Sequence, residues 1–108
     1  MTIKQFRDFM LEEMEEQNIK MPFYFDHYPT GVKIPLIVYR TNDKGFSADN
    51  IVYFKSLSVE VGLYTPTKDL TTESALETIF TSAEWYYSKD CFYDADNCVY
   101  ITRYNMEV

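Results

Sequence analysis

Histidine is nearly absent from the chain, with His27 alone. Nucleophilic triads and Cys-His pairs need a histidine to move protons, so His27 would have to carry that role unaided. It follows Asp26 in an aromatic stretch that reads as extended. Neighbours in a strand point to opposite faces, which predicts that Asp26 does not orient it. Cysteine is scarce as well: Cys91 and Cys98 are the only two. That count excludes a disulfide framework, the spacing is not C-x-x-C, and a tetrahedral zinc site lacks its ligands. The two thiols are expected as small buried apolar side chains, although a bridge across a hairpin stays geometrically open because Asp94-Ala95-Asp96-Asn97 between them favours a turn.

Glycine occurs only at positions 31, 45 and 62. No G-x-G-x-x-G or Walker pattern can be drawn from them, which removes phosphate-cradling loops. Asp90, Asp94 and Asp96 lack the glycine and the terminal glutamate of a calcium loop, and all three are expected as turn residues. No apolar run approaches the ~20 residues of a membrane span, and residues 1–16 are too acidic and amphipathic for a signal peptide. A cytosolic chain without a membrane partner is expected. Basic residues are few, with 10 Lys and Arg against 17 Asp and Glu, a net charge of -7 and a pI near 4.5. Direct nucleic-acid binding is disfavoured, since it depends on cations that neutralise phosphates.

What the chain has in excess is aromatic surface: ten tyrosines, eight phenylalanines and one tryptophan in 108 residues. Two uses compete for it, a small core with cross-strand pairs and an anchor-rich protein interface. The hydrophobic fraction of 46% is too high for a disordered chain, and the length suits one domain spanning residues 1–108.

Periodicity supplies the elements. Thr2 and Gln5 have the form of a capping box, followed by Ile3, Phe6, Met10 and Met14 at helical spacing, which predicts a helix over residues 2–17. Its outer face carries Lys4, Asp8, Glu12, Glu15 and Glu16. That face reads either as solvated, with Glu16 paired to Lys20, or as a docking surface for a basic partner. Pro22 ends the helical pattern, residues 23–28 look extended, and Pro29-Thr30-Gly31 forms a turn. Residues 32–40 alternate as a strand in which Pro35 removes one ladder donor, so an edge position or a bulge is expected. The polar run 41–50 reads as a loop. In 51–64 Leu57, Val59, Val61 and Leu63 form one face of a strand. Pro66 stops that strand. Thr71 or a neighbour then caps a helix bearing Leu76, Ile79, Phe80 and Ala83. Residues 84–88 and 98–104 read as a closing hairpin. The order α-β-β-β-α-β-β with local connections predicts an α+β domain, a mainly antiparallel sheet with two helices packed against it.

The succession I34-P-L-I-V-Y-R40, F46-S-A-D-N-I-V-Y53, V59-E-V-G-L-Y-T-P-T-K-D-L70, E73-S-A-L-E77 and V99-Y-I-T-R-Y104 resembles the tail-completion proteins of siphophages and of prophages in Gram-positive bacteria. These are also called tail terminators or tail-to-head joining proteins. The resemblance spans roughly residues 22–104. It implies an α+β structural protein, with neither catalytic residues nor cofactors, that caps the head-proximal end of the tail tube as a ring, usually of six copies. Its implied partners are other copies of itself, the tail tube protein and the head-completion protein. Its implied locations are the bacterial cytoplasm during assembly and the tail or neck of the virion.

Under that resemblance, Asn42, Asp43, Lys44, Phe46 and Asp49 in the polar loop are candidates for ring or tube contact. Subunits joined head to tail need two different patches, so the acidic helix face of Asp8, Glu12, Glu15 and Glu16 meeting Lys44, Lys55 or Lys68 of a neighbour would suit a ring. The competing expectation is a small acidic module that binds and inhibits a basic protein, imitating nucleic acid. An enzyme is not expected.

Overall fold

A computed structural model describes residues 2–41 and 57–108. The capping box forms: Thr2 Oγ1 accepts from the Gln5 amide at 3.1 Å, and Gln5 Oε1 accepts from the Thr2 amide at 2.9 Å. This starts α1 (Ile3–Glu16), which buries Phe6, Met10 and Met14. The helix stops without a glycine. Asn18 takes the left-handed conformation at φ 62, its amide donates to Glu15 O, and the Ile19 amide donates to Met14 O at 2.8 Å. That is a Schellman ending, completed by the burial of Ile19 beside Met14. Because the chain turns there, Lys20 leaves the helical register and no ion pair joins it to Glu16.

The second helix, α2 (Leu70–Ser82), starts from Asp69, two residues before Thr71. The Asp69 carboxylate accepts from the Thr72 amide at 3.1 Å and from the Thr72 hydroxyl at 2.7 Å. It ends in the same way as α1, with Glu84 at φ 63 and the Trp85 amide donating to Phe80 O at 2.9 Å. The turn swings Trp85 between the helices, 5.1 Å from Phe9, 5.6 Å from Phe6 and 6.4 Å from Phe80 between ring centroids.

The strands are β1 (Phe23–Phe25), β2 (Leu36–Thr41), β3 (Ser58–Thr65), β4 (Tyr87–Asp94) and β5 (Val99–Glu107), arranged β1-β2-β3-β5-β4. All pairings are antiparallel except that of β1 with β2. The expected α+β architecture is therefore present, in the expected element order. In register, Ile37 and Tyr39, then Val59, Val61 and Leu63, then Tyr104 and Met106 line one sheet face and join both helices in a single core. Both helices thus cover the same face.

Several local expectations are corrected. Pro35 precedes β2 rather than interrupting it, so β2 keeps its donors. It lies between β1 and β3, neither at an edge nor at a bulge. Residues 23–28 are a strand only as far as Phe25, since Asp26 turns at φ 73. That turn brings Asp26 Oδ2 within 3.2 Å of His27 Nδ1, a contact the alternation of a regular strand would forbid. Asp90 is a strand residue paired with Arg103 at 3.2 Å, whereas Asp94 and Asp96 do belong to the turn end of the hairpin. Cys91 and Cys98 are exposed and unbridged. Cys91 faces Thr102 across the ladder while Cys98 sits in the turn at φ 53, so the two are not cross-strand partners.

Glutamate has a Cβ that the left-handed region penalises, and Glu84 is exposed. Glu84→Gly is expected to raise unfolding stability by about 0.5–1 kcal/mol, by relieving that penalty at the helix end. Urea denaturation checks it. An unchanged or lowered midpoint would remove the assigned strain.

Candidate functional site

Of the residues singled out in the sequence, Asn42, Asp43, Lys44, Phe46 and Asp49 lie outside the described residues, as does Lys55. The acidic set Asp8, Glu12, Glu15 and Glu16 forms an exposed row on α1, and among the described residues only Asp8 has an ion-pair partner, Arg7 at 3.2 Å. Lys68 is not available as a free docking cation, because it is bound within its own chain. Its ammonium lies 2.9 Å from Glu73 Oε2 and 3.1 Å from Cys91 Sγ.

Lys68 opens onto a polar cluster between α2 and the β4–β5 hairpin. Glu73 stands three residues before Leu76 and seven before Phe80, on the stripe that α2 turns to the sheet, and it is 3% exposed. Lys89 on β4 reaches up from the helix-covered face. Its Nζ is 3.0 Å from Glu73 Oε1 and 2.7 Å from Glu77 Oε2. Glu77 Oε2 also accepts from the fully buried Tyr104 hydroxyl at 2.8 Å. The Thr102 hydroxyl is 3.5 Å from Glu73 Oε2 and 3.4 Å from Cys91 Sγ, long contacts that one proton must divide.

Around Glu73 Oε1, distance and direction disagree. The ion-pair separation to Lys89 is short, yet the oxygen receives no well-aligned hydrogen bond. The separation governs the attraction, since Coulomb energy depends on proximity and not on a lone-pair direction.

The electrostatics follow from this packing. Burial alone would raise the Glu73 carboxyl, but the ammonium groups of Lys68 and Lys89 outweigh it and leave the group below its usual value. Glu77 is likewise lowered, with Lys89 and Tyr104 overcoming burial. The Glu77 and Glu73 hydrogen bonds raise Lys89, and Glu73 and Cys91 raise Lys68. Burial, reinforced by Glu77, raises Tyr104. Each shift holds its group in the protonation state it ordinarily has at pH 7, opposite to the tuning of a general acid or base. The cluster holds fixed charges in place and so fastens α2 to the hairpin. An open cleft of about 500 Å³ at one end of β3, β5 and β4 is lined by Ser58, Glu84, Tyr86, Ser88 and Glu107 among others. Among the described residues, no group of His, Cys, Asp or Glu is disposed to hold a metal ion.

No family model matches the chain, and no curated protein matches it at a significant level. Among the described residues no helix is long and apolar enough to cross a membrane.

The sequence reading passed over Glu73, Glu77, Lys89, Thr102 and Tyr104. A usable signal was present, an acid on the apolar stripe of α2 with a lysine on a later strand, but glutamate in a helix ordinarily reads as solvent-facing.

Two outcomes follow. Lowered carboxyls stabilise the fold above their ordinary value of 4.5, and that contribution disappears as pH falls through their folded values. Raised lysines contribute below 10.5, and Tyr104 below 10.0, with losses as pH climbs through their folded values. Urea unfolding across pH should therefore show declining stability on both sides of a neutral plateau, with a flatter acid limb in Glu73→Gln; an unaltered acid limb would contradict the assignment. Lys89→Met should cost about 1–2 kcal/mol, less than the ~3–5 of a fully buried pair, because the Lys89 side chain is 36% exposed and water replaces part of what it loses. Thermal or chemical melts measure it, and a loss below experimental error would show that Lys68 alone suffices.

Proposed function

We propose that this chain is a structural tail-completion protein of a phage or prophage, closing the head-proximal end of the tail tube as an oligomeric ring and joining tail to head. The observation that carries the reading is where the resembling segments fall. I34-P-L-I-V-Y-R40 enters and forms most of β2, V59 to L70 runs through β3 to the first residue of α2, E73 to E77 lies within α2, and V99 to Y104 forms the first two thirds of β5. These are the three inner strands of the sheet and the helix laid on them. The segments that carry the resemblance therefore fall within one continuous structural unit. The segment F46 to Y53 lies outside the described residues.

A ring of identical subunits joined head to tail requires two unlike patches. The exposed acidic row on α1 supplies one, and among the described residues its only ion pair is that of Arg7 with Asp8. In this role the protein assembles in the bacterial cytoplasm and ends in the neck of the virion.

The same acidic row favours a second reading, a module that captures a basic protein. The two separate experimentally. Disrupting the gene in a phage-producing strain should leave filled heads beside unattached or abnormally long tails in electron micrographs, with attachment restored by the gene in trans. Intact virions from the disrupted strain would remove the tail role. Retention of a basic partner that collapses with added salt would then support the alternative.

A further inference from the structure

We propose that β4 is a self-association edge, and that two copies of this chain pair antiparallel through β4 about a two-fold axis at Cys91, forming one ten-stranded sheet with all four helices on one face. Among the described residues β4 pairs only with β5, so its outer backbone groups are free along eight residues, and Ser88 to Tyr93 are all exposed. Natural proteins guard such edges with proline, bulges or an outward lysine. Here there is no proline, the ladder from Tyr87 to Asp94 is continuous, and the one lysine, Lys89, is drawn inward to Glu73 and Glu77.

Charge favours a second copy as the occupant. Around this edge Lys68, Lys89 and Arg103 pair with Glu73, Glu77 and Asp90, and Asp94 is held by the Asn97 side chain. The strip therefore carries one of the chain's seven net negative charges. Two copies can meet here without the repulsion that two acidic α1 faces would suffer.

Among registers centred on the middle of β4, which keep the longest overlap, the cross-strand pairs select one. Two-fold antiparallel pairing with matched faces places each residue opposite one of the same parity. An axis at Asp90 sets two aspartates face to face, and an axis at Phe92 sets Asp90 against Asp94, both unfavourable. An axis at Cys91 pairs Lys89 with Tyr93 and Asp90 with Phe92. Arg103 already lies 4.9 Å over the Phe92 ring, where it would meet the incoming Asp90 of the other copy. Cys91 then faces Cys91 at a separation that a disulfide spans.

The test uses the full chain. Light scattering in reducing buffer over a rising concentration series should show monomer passing to dimer. Diamide, which accepts two electrons and two protons as two thiols join, should give a covalent dimer in wild type and in Cys98→Ser but not in Cys91→Ser. Phe92→Asp places like charges opposite each other twice and should weaken the dimer about tenfold, with a circular-dichroism melt confirming that it folds. A monomer at every concentration without Cys91-dependent crosslinking would overturn the proposal. So would crosslinking that requires Cys98, or a dimer indifferent to Phe92→Asp. None of this rests on the tail role, so either proposal can fail while the other stands.

Discussion

A single buried charge organises the second half of the molecule. Glu73 sits on the apolar stripe of α2, and a carboxylate there is tolerable only when cations meet it. Lys68 arrives from the connection before the helix and Lys89 from the strand after it. The constraint reaches further than the pair itself. For Lys89 to point at Glu73, the odd-numbered residues of β4 must face the helices. Ser88, Asp90 and Phe92 are thereby turned to the opposite face, and the backbone of β4 lies at the sheet margin with its own lysine withdrawn. The exposed character of that margin is thus a consequence of how the core charge is satisfied.

The aromatic excess is divided by the same geometry. Phe6, Phe80 and Tyr104 are fully buried, and Phe23 stacks on Tyr39 at 4.3 Å under the helices. On the far side of the sheet Tyr64 leans over Gly62, where a Cβ would come within 3.2 Å of the ring, and Tyr28 meets Tyr64 edge-on. Toward the hairpin Tyr86, Phe92 and Tyr93 remain 94%, 43% and 49% exposed. The core use that the composition allowed accounts for the aromatics under the helices, while those that stay exposed gather toward β4.

Legibility in the sequence followed the range of the interactions. The capping box, the periodicity of both helices and the alternation in β3 are short-range patterns, and each appears where the residues indicate. The closing hairpin also forms, but its first strand is Tyr87–Asp94 rather than 84–88, because Glu84 and Trp85 are taken up by the end of α2. β1 could not be placed as a parallel neighbour of β2, because that pairing is set by a connection with no local signature. Pro35 misled for a related reason: a proline at a strand start and one inside a strand look alike until the ladder is known. The Asp26 and His27 contact depended on a positive φ at a non-glycine residue, which local preference disfavours. The cysteines were misplaced because burial statistics for the residue type were applied to an edge strand. The polar cluster was hidden by charge itself, since its members become meaningful only when residues 68, 73, 89 and 104 converge.

The two proposed associations use surfaces that the fold keeps apart, and this bears on how they could coexist. α1 packs through Phe6 against Tyr39 on β2, so its acidic row belongs to the β1–β2 side of the molecule, while β4 closes the other margin. A head-to-tail contact made by α1 and a two-fold contact made by β4 would therefore not compete for the same residues. They differ in what limits them. The acidic face needs an external cation and is weakened by salt, whereas edge pairing satisfies backbone groups and is nearly charge-balanced. Ionic strength should shift the balance between them: low salt strengthens contact between the acidic face and a basic surface, and high salt leaves the edge as the dominant self-contact.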